Sequence, residues 1–407
     1  MDAKRKYFTK SGIYICICHF FFVSLRPNLL CACIDVYAHK EKHSYMIYTN
    51  DEAIEVLRDI IERHNVGRLL VVHGKNSYMA CGGNELMSQL NDVHNMEIAN
   101  FSDFSANPKI EDVMEGAKVI EEILPHAIVA IGGGSAMDVA KLMRYEAQKT
   151  YIPLIAIPTT SGTGAEATQF SVCYVNGKKE SFDYPELLPN YSLLIPELTM
   201  KNNRYLTACT GFDALAQAIE SYWNIHSTSE SEQYAEKAIA MLFDALSRFA
   251  DDAEVCMNDY EWRAQMMEGA NLAGKAINIT RTTAPHAMSY VMTSKYGYPH
   301  GHAVALSFPY FANLNINCDH SHFTGSGYEH YAEKMQWLRQ SIGIGNQNIV
   351  NYMKRFLYRI GLNYDWSRRI DADVVAQAVN IERAKNNPYQ LDGTILKEAA
   401  ASILIDL

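Results

Sequence analysis

Two histidines, His286 and His300, stand with thirteen residues between them in the stretch NITRTTAPHAMSYVMTSKYGYPHGHA (278–303), and each follows a proline directly. Proline fixes its own backbone torsion, so an imidazole beside it is rigidly held, as a metal ligand needs to be. A single such histidine is ordinarily a core or helix-end residue, and the pair gains weight only from a further ligand. One candidate lies upstream in GFDALAQAIE (211–220), where Asp213 and Gln217 are four apart and a helix stacks both side chains on one face. A carboxylate with two imidazoles makes a ligand set suited to Zn²⁺ or Fe²⁺, with positions left for water or substrate. Gln217 is a weak fourth donor. Read alone, the same segment is an ordinary helix with a capping aspartate.

The elements that must position these groups come in two textures. Between Asp51 and about residue 203, short apolar runs ended by glycine or polar loops alternate with helical periodicity. Asp51 is expected to cap a helix through Arg63, with Ala53, Ile54, Val56, Leu57, Ile60 and Ile61 as its apolar stripe. Buried parallel strands are expected at Arg68 to Gly74, Ala127 to Ile131 and Leu154 to Pro158, with helices to about Leu90 and from Ile110 to Leu124. Strand and helix in alternation predict a right-handed, mostly parallel sheet. Beyond about Arg204, long amphipathic segments dominate (213–223, 230–249, 260–276, 330–342, 349–360, 373–384) and no strand stands out. The chain therefore divides into residues 1–45, an atypical extension, 46–203, an α/β domain, and 204–407, an all-helical domain.

Two loops in the α/β part have the chemistry of a nucleotide site. Gly132-Gly133-Gly134-Ser135 follows the strand ending at Ile131 directly, letting backbone N–H groups and a helix amino end approach a pyrophosphate. Pro158-Thr159-Thr160-Ser161-Gly162-Thr163-Gly164 follows the next strand and offers hydroxyls without bulk at the carboxyl end of a parallel sheet. In the loop after the first strand, Gly74-Lys75-Asn76-Ser77, there is no acid for a ribose 2′-hydroxyl, and Lys75 tilts the cofactor toward NADPH over NADH.

A length of 407 residues and 48% hydrophobic content suit an enzyme with a sizeable core, and a formal net charge of -10 argues against nucleic acid or an anionic membrane as partner. Five of nine cysteines (Cys81, Cys173, Cys209, Cys256, Cys318) stand alone in ordinary surroundings, which suits a reducing cytoplasm. The other four form the C-x-C pairs Cys16/Cys18 and Cys31/Cys33, read as apolar filler or as a zinc or redox site. They lie in a basic then apolar segment that copies a signal peptide superficially; its apolar run, Ile13 to Leu25, is too short to span a membrane. A non-native or atypical extension is preferred to export.

Taken together, GGGSAMDVAK, PTTSGTGAE, GFDALAQAIESYW, PHAMSY, YPHG and the late NNPYQLD resemble the iron-containing (group III) alcohol dehydrogenase family over about Arg68 to Asp392. The resemblance implies a dinucleotide-binding α/β domain, an all-helical domain (a dehydroquinate synthase-like architecture), NAD(P)H and a divalent metal between them. It implies that Gly133, Gly134 and Ser135 hold the pyrophosphate, that Asp138, Thr159, Thr160 and Thr163 line the cofactor site, and that Asp213, His286 and His300 are metal ligands. The commonest family pattern has histidine at Gln217 and at Tyr290, and both departures bear on the metal and the proton path. Tyr290 or His302 is left as the proton relay.

Within the family, DALAQAIESYWN, TRTTAPHAMSY and GYPHGHAVAL most resemble the phosphonoacetaldehyde reductase branch, in which phosphonoacetaldehyde and 2-hydroxyethylphosphonate are interconverted. Arg281 and Lys295 bracket His286 and offer a phosphonate dianion a fork of donors and a point charge. A homodimer is expected. The alternatives are a general alcohol or lactaldehyde-type dehydrogenase of the same family and a catalytically silent nucleotide-binding paralogue.

Overall fold

The computed structural model describes residues 47–93, 95–365, 367–379 and 381–404, so both C-x-C pairs and the apolar amino-terminal run lie outside the described residues. The first helix, α1 (Asn50–Arg63), is capped by Thr49 and so starts two residues earlier than a cap at Asp51 predicts. Thr49 and Glu52 satisfy each other's backbone N–H groups in a capping box, which leaves Asp51 free to place its charge against the positive end of the helix. β1 (Arg68–His73) follows, and the helix expected to about Leu90 is split into α2 (Ser77–Cys81) and α3 (Gly83–Ser88), because Gly82 takes a left-handed conformation with φ 90°.

The chain then forms β2 (Glu97–Phe101), α4 (Ile110–Ile123), β3 (Ala127–Gly132), α5 (Gly134–Glu146) and β4 (Leu154–Pro158). β5 (Phe170–Val175), β6 (Lys178–Asp183) and β7 (Tyr191–Ser192) complete the strands. The main sheet runs β2-β1-β3-β4-β7 and every pairing in it is parallel. Alternate side chains divide between its faces. Leu69, Val71, Val129, Ile131, Ile155 and Ile157 pack under α1, whereas Leu70, Val72, Ile128, Ala130, Leu154 and Ala156 pack under α4 and α5. With helices on both faces, such strands read as continuous apolar runs, as those expected here do.

Sequence reading did not place β2, β7 or the β5–β6 hairpin. β2 is an edge strand with only Phe101 fully buried, so it lacks an apolar run. The hairpin turns through Asn176 and Gly177, both at positive φ, and that Asn-Gly pair is a strong hairpin signal.

From residue 204 on, the described elements are helices: α6 (Arg204–Trp223), α7 (Ser229–Asp251), α8 (Ala253–Met257), α9 (Tyr260–Thr280), α10 (Ala284–Tyr296) and α11 (His300–Ile316). They continue as α12 (Tyr328–Ser341), α13 (Ile349–Ile360), α14 (Ala372–Ala378), α15 (Ile381–Ala384) and α16 (Gly393–Ser402). The helix expected at 373–384 is thus two pieces. α6 is central and buried on all sides from Gly211 to Trp223, so the segment expected to be amphipathic at 213–223 has no face turned to solvent. No helix among the described residues is long and apolar enough to cross a membrane.

The loop after β4 docks the α/β part onto α9. Glu166 Oε1 accepts from Asn271 Nδ2 at 3.0 Å in the interior, and Gln169 N donates to Asn278 Oδ1 at 2.8 Å. Between these bonds Gly164 meets Gly274 backbone to backbone: a Cβ on Gly274 would stand 2.8 Å from both Cα and O of Gly164. Neither neighbour is a side chain that can turn aside. Gly274→Ala is expected to cost about 1–3 kcal/mol, read as a lower urea midpoint at unchanged m-value; an unchanged midpoint contradicts this reading of the contact.

Candidate active site

Asp213 and Gln217 lie one turn apart on α6, and both are buried. His286 sits in the first turn of α10, after Thr283 and Pro285, and His300 opens α11 directly after Pro299. The two imidazoles therefore come from the rigid starts of consecutive helices, linked through Gly297 in a left-handed cap at φ 69°. The start of α11 lies against the backbone of α6, because Gly301 has no side chain: a Cβ there would fall 1.9 Å from Cys209 O and 3.0 Å from Asp213 Cβ.

The three expected ligands converge. Their ligand atoms all lie within 4.8 Å of one another, with Asp213 Oδ1 3.3 Å from His286 Nε2 and 3.8 Å from His300 Nε2. Asp213 Oδ1, Gln217 Oε1 and His286 Nε2 are buried without a hydrogen-bond partner. The Gln217 amide nitrogen donates to the other Asp213 oxygen at 3.2 Å, so its own oxygen remains a spare acceptor. Buried polar atoms are nearly always paired, and a cluster of unpaired atoms on carboxylate, amide and imidazole is the donor set that a divalent cation satisfies.

The ring nitrogens facing away from this cluster are engaged. Glu220, fully buried two turns along α6 from Asp213, places Oε1 2.5 Å from His286 Nδ1. Ser289 Oγ lies 3.3 Å from His300 Nδ1, and since the same hydroxyl donates to His286 O at 2.7 Å, its oxygen is the acceptor. Burial raises the Asp213 carboxyl, but His300, His286 and Lys179 together outweigh it and hold the group below the ordinary range. Burial also lowers His286, and Glu220 and Asp213 reverse this and push it up to about 10. His300 has burial and Lys179 against its charged form and falls to about 3.

Lys179 is the cation sequence reading missed. It is half-buried on β6, and its Nζ lies 4.4 Å from the centre of the Tyr290 ring, which stacks at 9° against His300 with centroids 6.3 Å apart. Only the fold of the hairpin brings it there. The two basic residues expected to bracket the site stand elsewhere. Arg281 is paired with Asp183 at 2.6 Å and lies over the Phe170 ring, so its fork is committed to the hairpin. Lys295 is exposed in the last turn of α10, nine residues from His286 and roughly 13 Å along the helix axis at 1.5 Å per residue.

The two proton-relay candidates also separate. Tyr290 stands beside His300, as described. His302 is buried, with Nδ1 2.8 Å from the Tyr205 hydroxyl and Nε2 2.9 Å from Asn363 O, so neither ring nitrogen is left for a relay. Two residues after His300 on a helix, it points to the other side.

The cofactor loops come together at the carboxyl ends of β3 and β4. Thr159 N donates to Gly132 O at 2.9 Å, and Cβ atoms built on Gly133 and Gly134 would meet Thr160 Oγ1 at 3.5 Å and Thr163 Cγ2 at 3.1 Å. Gly133 caps α5, so the amino end of that helix opens on the same cradle. The strand order reverses between β1 and β3, the crevice where dinucleotides bind in open parallel sheets. Ser135 spends its hydroxyl on Ala106 O at 2.5 Å, leaving its backbone N–H for an anion. Asp138 faces Lys141 and Lys179, and burial raises its carboxyl. Lys75, in the loop after β1, pairs at 2.7 Å with Asp103 from the loop after β2, so an acid does stand at this corner.

Comparison with known proteins agrees with this geometry. Models of the iron-containing alcohol dehydrogenase family match residues 45–196, and those of its C-terminal part match 207–367. Phosphonoacetaldehyde reductase of Streptomyces viridochromogenes is 30% identical over 309 residues, covering 68% of this chain and 75% of its own. A 1-propanol dehydrogenase of Salmonella typhimurium is 32% identical over 216 residues, 51% of this chain and 57% of its own. Among solved structures, sulfoacetaldehyde reductase from Bifidobacterium kashiwanohense in complex with NAD⁺ superposes with a TM-score of 0.72 at 26% identity, covering 88% of this chain and 98% of that one. A 1,3-propanediol oxidoreductase, at 23% identity and 89% and 98% coverage, gives a TM-score of 0.77 and shares the fold. The chain belongs to the iron-containing alcohol dehydrogenase family and is an oxidoreductase that interconverts an aldehyde and an alcohol with a nicotinamide cofactor.

Proposed function

We propose that the chain reduces phosphonoacetaldehyde to 2-hydroxyethylphosphonate with NAD(P)H, at a divalent cation, Fe²⁺ or Zn²⁺, held by Asp213, His286 and His300 with Gln217 as fourth donor. The observation that carries the substrate is Lys179, a cation that reaches the cluster closely enough to act on both Asp213 and His300 and that lies over the ring of Tyr290. Phosphonoacetaldehyde with its carbonyl oxygen at the ligands carries its phosphorus three bonds from that oxygen, within the range a flexible lysine covers as a point charge. The first relative named above acts on such a substrate, and the sulfonate relative on a close analogue. Arg281 and Lys295 have no part in this reading.

What the cation supplies when bound is Lewis acidity toward the aldehyde oxygen. The chain's own residues do the rest. Gly133, Gly134 and the Ser135 N–H take the pyrophosphate, with Thr159, Thr160 and Thr163 lining the cradle. Tyr290 stands where a proton must reach the reduced oxygen. Lys75 serves a 2′-phosphate and Asp103 a ribose hydroxyl, so the corner accepts either cofactor, and NADPH use requires Lys75 to leave its partner.

Steady-state NAD(P)H oxidation tests the substrate. Lys179→Met is expected to lower kcat/KM for phosphonoacetaldehyde about ten- to a hundredfold, the worth of one charge-assisted contact, and to change it less than about threefold for propanal by the same scale. An equal loss on both aldehydes, or none on either, assigns the chain to uncharged substrates. The ligand set has its own test in chelator competition, where Gln217→His replaces a weak amide donor by imidazole and is expected to tighten Zn²⁺ binding about tenfold or more. An unchanged affinity removes position 217 from the site.

A further inference from the structure

We infer that Glu220 is a positioning residue for the metal site, fixing His286 in the tautomer whose Nε2 lone pair faces Asp213; the inference rests on the ligand set proposed above. Glu220 is seven residues after Asp213, on the same face of α6, and is fully buried. Its two oxygens have separate duties. Oε2 accepts from Thr283 N at 2.7 Å and from Thr283 Oγ1 at 2.8 Å. The direction of the second bond is set by Trp223, whose indole N–H donates to Thr283 Oγ1 at 2.9 Å and has no acceptor role of its own. Oε2 is thus held by two donors, and one of them is a backbone N–H that cannot reverse.

Oε1 is left for His286 Nδ1, at 2.5 Å. A carboxylate only accepts, so Nδ1 keeps its proton toward Glu220, and Nε2, turned to Asp213, is the nitrogen at which a cation would take a proton's place. Thr283 is the residue that starts α10, and Trp223 ends α6, so the junction of these helices and the orientation of the ligand are one structure.

Glu220→Gln separates this role from space filling. The amide has the same shape, and the Thr283 N–H obliges its oxygen to take the place of Oε2. Its NH₂ then meets His286 Nδ1, which must accept; the ring proton moves to Nε2 and an N–H points at the ligand site. Expected in the full-length protein are an unchanged circular dichroism spectrum and a Zn²⁺ affinity about ten- to a hundredfold weaker, by chelator competition. Ring ¹⁵N shifts of the Zn²⁺-loaded wild-type protein provide a readout that needs no variant: His286 should carry its proton on Nδ1 and its metal on Nε2. Ligation of His286 through Nδ1, or a folded Glu220→Gln protein with wild-type Zn²⁺ affinity, overturns the inference. Should the wild-type protein bind Zn²⁺ with no His286 shift at all, the ligand set itself fails, and the role of Glu220 falls with it.

Discussion

A polar atom buried without a partner costs about 1–3 kcal/mol, and more when it carries charge. Asp213 Oδ1, Gln217 Oε1 and His286 Nε2 are three such atoms gathered in one place. That concentration of unpartnered polar atoms is what the rest of the helical part is arranged around. α6 is buried on all sides so that Asp213 is dry, and Gly301 lets the start of α11 settle against α6 so that His300 reaches it. Behind them, Glu220 and Ser289 occupy the outward nitrogens of both imidazoles. An interior built for packing alone has no reason to carry this burden, whereas a cation binding there converts it into affinity.

The α/β part contributes through two loops at the carboxyl ends of neighbouring strands. The second of them has a double use. Thr159, Thr160 and Thr163 face the glycine loop, while Gly164 and Glu166, a few residues on, lock against α9. Cofactor cradle and ligand helices are therefore joined by a contact in which two backbones touch. The β5–β6 hairpin, which departs from the main sheet, brings Lys179 over Tyr290 and Asp183 to Arg281, so it meets both the site and the end of α9.

What could be read in the sequence follows from how local each signal is. The strands β1, β3 and β4 are apolar runs closed by glycine or proline, and their limits came within a residue or two of those observed. Asp213, His286 and His300 were legible because their types are few and their motifs ordered, and the structure does bring them together. α10 and α11 were not, since small and polar residues on buried faces leave no amphipathic pattern. Arg281 and Lys295 show the limit of a local signal: closeness to His286 along the chain is not closeness to the ligand cluster in space. Lys179, more than a hundred residues from His286 along the chain, stands over Tyr290 beside the cluster, and nothing local announces it. Glu220 stood inside the quoted motif, two turns from Asp213, and helical geometry alone could have singled it out.

Whether the cluster on α6, α10 and α11 holds the cation on which aldehyde reduction depends is open to experiment. Stripping the protein with a chelator, then following NAD(P)H oxidation with phosphonoacetaldehyde while Fe²⁺ or Zn²⁺ is titrated back, addresses it directly. The account predicts no turnover in the stripped protein and activity that rises linearly to one equivalent per chain, with no recovery in an Asp213→Ala variant. Full activity in protein shown to be free of metal would contradict it.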